Sequence, residues 1–285
     1  MYDNIVVAFD GSKHSKAALM ETANWIKRHG GSAVLVHAVY FDEEEFGIIP
    51  EQLEQRMNFG KKLCDQAKKD ISSAFGVNIE SIICEGDPAD TLVEIAHAKK
   101  ADLIALGTHG RSSIKKLIMG SVTSGVIGKA TCDVLVVKKA DKDWSGRYAS
   151  ILLPFDGSGP SMKALEQACR ISVMDSSAVS VLYVVPRYEE MIEFFRSSAI
   201  QDSLMKEAQK ITASAVELAT EKGVKVKVLI GNGDVSSKIS ETAIREKSDL
   251  VIMGSHGWGG VNKAYIGSTT ERLIIHADTP ILVVR

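Results

Sequence analysis

The sequence has few cysteines, no long apolar run and no strong net charge of either sign. Its four cysteines are Cys64, Cys84, Cys132 and Cys169. None belongs to a C-x-x-C pair, which argues against a disulfide framework or a zinc site and favours buried, reduced thiols. No stretch reaches the ~18 consecutive apolar residues of a membrane-spanning helix. The net charge of -2 gives no reason to expect nucleic acid or a membrane as partner.

Several motifs of nucleotide-dependent enzymes are also missing. The chain has no G-x-x-x-x-G-K-[ST] motif, so it is not a P-loop NTPase, and no G-x-G-x-x-G follows a first strand, which weakens a dehydrogenase interpretation. Paired catalytic carboxylates and a nucleophile elbow are absent as well. The first four residues lack the basic region of a signal peptide. We therefore expect a cytoplasmic protein with no assigned catalytic residue or metal ligand.

A duplication of a whole domain is the main feature that the sequence does contain. Residues 5–12, IVVAFDGS, match residues 151–158, ILLPFDGS, which lie 146 residues later. The glycine-rich loops and the closing strands repeat at a spacing of 147, so the order is preserved throughout. This period is far longer than the ~20–50 residues of a solenoid repeat. The predicted domains are residues 1–140 and 147–285.

Apolar strands alternate with helices within each copy. The first copy predicts strands at 5–9, 33–39, 77–84, 102–107 and 133–138, with helices near 15–29, 51–75, 88–99 and 120–129. The second predicts strands near 150–154, 178–185, 224–230, 249–254 and 280–284. Strands that are apolar throughout and joined by helices indicate a parallel sheet covered on both faces. The predicted fold class is α/β, as two repeated, doubly wound domains.

A glycine motif, G-x2-G-x9-G-[ST], follows the fourth strand of each copy. In the first copy it consists of Gly107-Thr108-His109-Gly110 and Gly120-Ser121-Val122-Thr123. In the second it consists of Gly254-Ser255-His256-Gly257 and Gly267-Ser268-Thr269-Thr270. A strand, a glycine loop and a helix start with exposed N–H groups form a suitable site for phosphate. The alternative is that the glycines only satisfy turn geometry and the serines only cap their helices.

Asp10 and Asp156 follow the first strand of each copy, at the edge of the sheet where open α/β folds bind ligands. A carboxylate there can accept hydrogen bonds from ribose, although each Asp could equally be a turn residue that starts the next helix. His109 and His256 have no Cys or second His at ligand spacing, so metal binding is not expected. We interpret them as residues that position the backbone near phosphate.

The two glycine loops differ in charge. The first carries Arg111, Lys115 and Lys116, whereas the second carries only Lys263 and has Trp258-Gly259-Gly260 after its second glycine. If both loops hold phosphate, the first gains more from charge pairing. The alternative for the lysines is an ordinary solvated surface.

These repeated motifs resemble those of the universal stress proteins, in the tandem, ATP-binding form with two domains, over nearly the whole chain. The resemblance implies a flavodoxin-like or Rossmann-like domain with a five-stranded parallel sheet, similar to adenine nucleotide hydrolase-like folds. It implies ATP as ligand, or AMP or ADP, with Mg²⁺ or Mn²⁺ held through the phosphates. It also implies pairing of the two domains through their last strands, 134–138 and 281–285, and a homodimer.

The same resemblance assigns roles to individual residues. Asp10 and Asp156 would meet ribose, and Ala8 and Pro154 would lie beside adenine. Ala38 and Val184 would contact adenine through their backbone. The two glycine motifs, including Arg111, would wrap the ribose and phosphates.

Three functions are therefore open at the level of the sequence. The first is an ATP-binding stress or regulatory protein that holds the nucleotide at the glycine motif of one or both domains, with little or slow hydrolysis. The second is a metal-dependent adenine-nucleotide hydrolase or transferase. The third is an interaction module that needs no nucleotide.

Overall fold

The structure is a computed structural model, and it describes residues 2–40, 50–110, 119–140, 144–186, 198–257 and 267–285. The chain divides into two compact units, Met1–Arg147 and Tyr148–Arg285, which we call the first and second units. Within the described ranges, none of the helices combines the length and apolar character needed to cross a membrane.

Each unit contains one five-stranded sheet. The strands of the first unit are β1 (Asn4–Ala8), β2 (Ser32–Val39), β3 (Glu80–Glu85), β4 (Leu103–Gly107) and β5 (Asp133–Val137). Those of the second unit are β6 (Ser150–Pro154), β7 (Ala178–Pro186), β8 (Val226–Gly233), β9 (Leu250–Gly254) and β10 (Ile281–Val284). The described helices of the first unit are α1 (Lys13–His29), α2 (Pro50–Phe75), α3 (Pro88–Ala98) and α4 (Ser121–Lys129). Those of the second are α5 (Gly159–Asp175), α6 (Ser198–Glu221), α7 (Val235–Arg245) and α8 (Ser268–His276).

All strand pairs within each unit are parallel, and the order is β3-β2-β1-β4-β5 in the first unit. The second unit repeats it as β8-β7-β6-β9-β10. This is the Rossmann-like order and not the flavodoxin-like one. The order reverses between β1 and β4, and between β6 and β9. These are the switch points where open α/β sheets bind ligands.

The core of each unit lies between this sheet and the helices that cover it. Every residue of β4 and of β9 is buried, as expected for a strand in the middle of a parallel sheet. In the first unit, α1 packs on β4 and β5, while α3 packs on β1 and β2 and contacts α4. The predicted α/β fold with two repeated sheets is confirmed.

Two strand starts differ from the prediction by more than one residue. β3 begins at Glu80 instead of 77, and β8 begins at Val226 instead of 224. The reason is clearest at Val224, whose N–H donates to the carbonyl of Ala219 at 2.8 Å and so completes the end of α6. Its side chain is buried, but its N–H is not available for the sheet. The apolar pattern thus continues past the point where strand pairing stops.

The cysteines differ partly from the prediction. All four are free thiols, but only Cys64 and Cys169 are buried, while Cys84 and Cys132 are half-buried. Burial raises the pKa of Cys64 to about 11. This thiol is therefore protonated at neutral pH.

Candidate functional site

Asp10 lies at the switch point of the first unit, between the start of α1 and the glycine loop. Its Oδ1 accepts a hydrogen bond from the N–H of Ser12 at 2.9 Å. Its Oδ2 faces the loop, because a Cβ built on Gly110 would lie 2.9 Å from it. Asp156 does the same in the second unit, accepting from Ser158 N–H at 2.9 Å. Each Asp therefore does both things considered above: it stabilises the turn before the next helix, and it lies beside the glycine loop.

The first glycine of each motif is required by packing. A Cβ on Gly107 would lie 2.6 Å from the carbonyl carbon and Cβ of His14, at the start of α1. A Cβ on Gly254 would lie 2.6 Å from Cβ of Pro160, at the start of α5. Both distances are shorter than side chains tolerate, so each glycine lets a helix start approach the end of the central strand. This glycine shapes the site by packing.

The third glycine of each motif begins the helix that would face a phosphate. Gly120 N–H donates to the carbonyl of Thr108 at 3.2 Å, and Gly267 N–H donates to that of Ser255 at 3.1 Å. Each glycine is the N-cap of its helix, and neither helix has a side-chain cap. The N–H groups of the first turn of α4 and of α8 are thus left without the partner that a capping side chain would supply. An anion is the complement of such a helix start.

The threonines of the two motifs tie this helix start to the end of the central strand. Thr123 is buried, and its hydroxyl donates to the carbonyl of Gly107 at 2.9 Å. Thr270 is buried as well, and its hydroxyl donates to the carbonyl of Gly254 at 3.4 Å. These hydroxyls therefore position the loop, and a ligand would meet the backbone N–H groups. Ser121 and Ser268 are exposed beside them, while Val122 and Thr269 are half-buried.

The second residue of each motif is buried and contacts the histidine that follows it. Thr108 Oγ1 lies 3.1 Å from His109 Nδ1, and Ser255 Oγ lies 2.9 Å from His256 Nδ1. The hydroxyl of Ser12 also donates to the carbonyl of His109, at 3.5 Å. The loop thus contacts both histidines, and the start of α1 also contacts His109.

The four residues expected beside a base lie at the same edge of the two sheets. Ala8 ends β1 and pairs with Val36, two residues before Ala38 on β2. Pro154 ends β6 and pairs with Leu182, two residues before Val184 on β7. All four predicted positions are half-buried. Their side chains are small or apolar, which suits contact with a flat base.

Two further positions at this edge were missed by the sequence analysis. His37 Nδ1 donates to the carbonyl of Phe9 at 2.7 Å. Tyr183 occupies the corresponding position of the second unit, and its pKa is raised by burial and by the carboxylates of Glu207 and Asp156. Periodicity could not distinguish either residue from an ordinary strand residue.

A third missed residue is His14, whose Nδ1 donates to the carbonyl of Lys138 at 2.7 Å. Its ring centroid lies 5.8 Å from that of His109. Burial lowers the pKa of His14, nearby Lys13, His109 and Lys138 lower it further, and the hydrogen bond to Lys138 opposes them. The repeat does not predict it, since Pro160 stands at this position in the second unit.

The more cationic part of the first loop lies outside the described residues. This applies to Arg111, Lys115 and Lys116, and in the second loop to Trp258-Gly259-Gly260 and Lys263. In the described part of the chain, no group of three or more His, Cys, Asp or Glu side chains is arranged to hold a metal ion.

The Rossmann-like order, present twice with the same loop at each switch point, defines a tandem α/β domain protein. Comparison with known proteins agrees. The sequence profile of the universal stress protein family matches residues 1–138 and 147–285. A universal stress protein of Methanocaldococcus jannaschii is 34% identical over 150 residues, which cover 50% of this chain and 86% of that protein.

Two further relatives extend over both units. A universal stress protein of Mycobacterium bovis is 24% identical over 297 residues, which cover 99% of this chain and 96% of that protein. The crystal structure of a universal stress protein from Archaeoglobus fulgidus matches with a TM-score of 0.76 at 20% identity, covering 100% and 98% of the two chains. The chain belongs to the universal stress protein family and carries two such domains in tandem.

Proposed function

We propose that each unit binds an adenine nucleotide at its switch point, and that occupancy regulates the protein with little or slow hydrolysis. The observation that carries this proposal is that an uncapped helix start and an Asp carboxylate, of Asp10 or Asp156, both border the same glycine loop. The carboxylate can accept hydrogen bonds from ribose, and the free backbone N–H groups of the helix start can donate to phosphate. A nucleotide carries groups that complement both features, and both lie at the end of the sheet where open α/β folds bind ligands.

The adenine specificity is the finer part of the proposal. It is supported by the family membership and by the four small or apolar residues at the base edge, Ala8, Ala38, Pro154 and Val184. Mg²⁺ or Mn²⁺ would be held through the phosphates. Pairing of the domains through the last strands, and a homodimer, remain predictions from the family.

The direct test has two parts. Bound small molecules are released from one sample of the purified protein with acid and identified by chromatography. A second, folded sample that is free of nucleotide is titrated with ATP by calorimetry. We expect adenine nucleotide to be recovered from the purified protein, or added ATP to bind to the nucleotide-free protein. Rapid phosphate release with Mg²⁺ would favour the hydrolase alternative instead. A protein that is purified empty and binds no added nucleotide would contradict the proposal.

Adding a negative charge at the helix start tests whether the phosphates bind there. Ser121→Glu places a carboxylate beside the first-turn N–H groups of α4 without disturbing a buried contact, because Ser121 is exposed. A like charge about 5 Å from a phosphate costs about 1–3 kcal/mol, so binding to the first unit should weaken about tenfold to a hundredfold. Ser268→Glu is the corresponding change in the second unit.

Ser121→Gln and Ser268→Gln are the matched controls, since they have the same length and no charge. Calorimetry on each variant should show that only the glutamate variants lose affinity, each at one of two sites. If both glutamate variants bind ATP as the parent does, the phosphates do not lie at these helix starts.

A further inference from the structure

His14 is the one histidine beside the candidate phosphate site that exists in only one unit. It is half-buried at the start of α1, close to the end of β4, because Gly107 allows the backbone of α1 to approach. Its ring stands beside that of His109, with 5.8 Å between the centroids and 49° between the planes. Two imidazole rings thus lie at the glycine loop of the first unit.

The hydrogen bond of His14 fixes which nitrogen carries hydrogen. The carbonyl of Lys138 is only an acceptor, so Nδ1 of His14 must be the donor at 2.7 Å in both the neutral and the protonated ring. In the neutral ring Nε2 is an acceptor, and protonation turns it into a donor. Among the described residues, none forms a hydrogen bond with Nε2. Protonation of His14 therefore changes one atom from repelling an anion to binding it.

The charges around His14 disfavour this protonation when no anion is present. Lys13 lies on the same helix, Lys138 follows β5, and His109 lies on the loop after β4. The carboxylate of Asp10 lies on the β1 side, where it accepts from Ser12 N–H. Burial and these three basic neighbours lower the pKa of His14, which disfavours the protonated ring. A bound phosphate would offset the repulsion among these groups.

The second unit lacks this arrangement. Pro160 occupies the position of His14 and approaches Gly254 as His14 approaches Gly107. The carbonyl that corresponds to Lys138 O is Arg285 O, which accepts from Lys163 Nζ at 3.3 Å. The second unit therefore keeps the shape of the loop start and lacks the titrating ring.

We propose that His14, next to His109, is a phosphate-binding residue that couples nucleotide binding in the first unit to uptake of a proton, and that the second unit has no such coupling. This rests on the proposed nucleotide site. A ligand that raises the pKa of His14 by about one unit would bind about tenfold more tightly well below that pKa than well above it. The first site would thus gain a pH dependence from His14 that the second site lacks.

The test is an NMR titration of the histidine rings in the whole protein, with the His14 signal assigned from its loss in His14→Gln. We expect saturating ATP to raise the pKa of His14, and adenosine, which has the base and ribose but no phosphate, to leave it unchanged. Binding of ATP without a change at His14, or an equal change with adenosine, would overturn the inference. Absence of any nucleotide binding would instead overturn the proposed function and this inference together.

Calorimetry at pH 6 and pH 8 gives a second readout that does not need assignment. His14→Gln keeps a donor for Lys138 O but cannot titrate, so its first site should lose pH dependence relative to the parent. The protonation of ATP itself is the same with both proteins and cancels in the comparison. Pro160→His should add pH dependence to the second site. Equal pH dependence in the parent and in His14→Gln would contradict the assignment.

Discussion

The two units form the same glycine loop, but the distances between the loop and its neighbours differ. Thr123 donates to the carbonyl of Gly107 at 2.9 Å, while Thr270 donates to that of Gly254 at 3.4 Å. Built Cβ atoms show the same trend, since the nearest backbone atom lies 2.9 Å from that of Gly120 and 3.4 Å from that of Gly267. The shared contacts define the loop, and the differences show that the first copy leaves less space around the third glycine and has the shorter threonine bond.

The largest effect is expected at the glycine that both units need equally. Gly107→Ala and Gly254→Ala each place a methyl group 2.6 Å from the start of a helix, so the helix or strand must move. We expect each to lower the free energy of unfolding by about 3 kcal/mol. Urea unfolding measures this, with Gly159→Ala as control because nothing lies within 4 Å of its built Cβ. A loss of less than about 1 kcal/mol in either variant would show that the close packing is not required.

The second prediction separates the two units. Gly120→Ala should destabilise the first unit by about 1–3 kcal/mol, because its Cβ would lie 2.9 Å from the carbonyl oxygen of Thr108. Gly267→Ala has 3.4 Å to its nearest neighbour and should cost less than about 1 kcal/mol. Hydrogen exchange on peptides that cover α4 and α8 would measure each locally. Equal losses would mean that the loops are equally tight.

The smallest effect concerns the caps of α3 and α7, which the units share. Asp87 accepts from the N–H groups of Ala89 and Asp90, and Asp234 accepts from that of Ser237. Replacing either by Ala should cost about 1 kcal/mol, measured by hydrogen exchange in the helix that follows. Hydrogen bonds from Ser237 and Ser236 lower the pKa of Asp234 to about 2.

Because the pKa of Asp234 is lowered, its contribution to the stability of the folded protein depends on pH. A carboxyl whose pKa is lower in the folded state stabilises it above the unfolded value of about 3.9. This stabilisation should be lost as the pH falls from about 5 towards 2, and Asp234→Asn should remove that part of the pH dependence. An unchanged acid limb in the variant would contradict the assignment.

Much of the fold and of the loop could be predicted because the sequence states them twice. The two copies of the glycine motif and of the Asp10 and Asp156 turns placed the candidate site at one sheet edge. The sequence could not distinguish the Rossmann-like from the flavodoxin-like strand order, because a central strand is apolar in both. The order depends on which helix face packs on which strand.

The roles within the motif were also beyond the pattern. The motif placed Thr123 and Thr270 at the phosphate loop, and the structure shows their hydroxyls donating to strand carbonyls. The spacing of a motif predicts which residues lie close together. It does not predict which hydrogen-bond partner each hydroxyl has. His14 was missed for the opposite reason, because a search for repeats overlooks a residue that occurs in one copy.

The bond from Thr123 to the end of β4 has a consequence for the speed and entropy of binding. A helix start that is already fastened to the central strand loses its conformational freedom during folding and not when a ligand arrives. The described half of the site is therefore preorganised. Association with this half should need no slow ordering step, and differences in affinity between the two units should arise from the residues that contact the ligand.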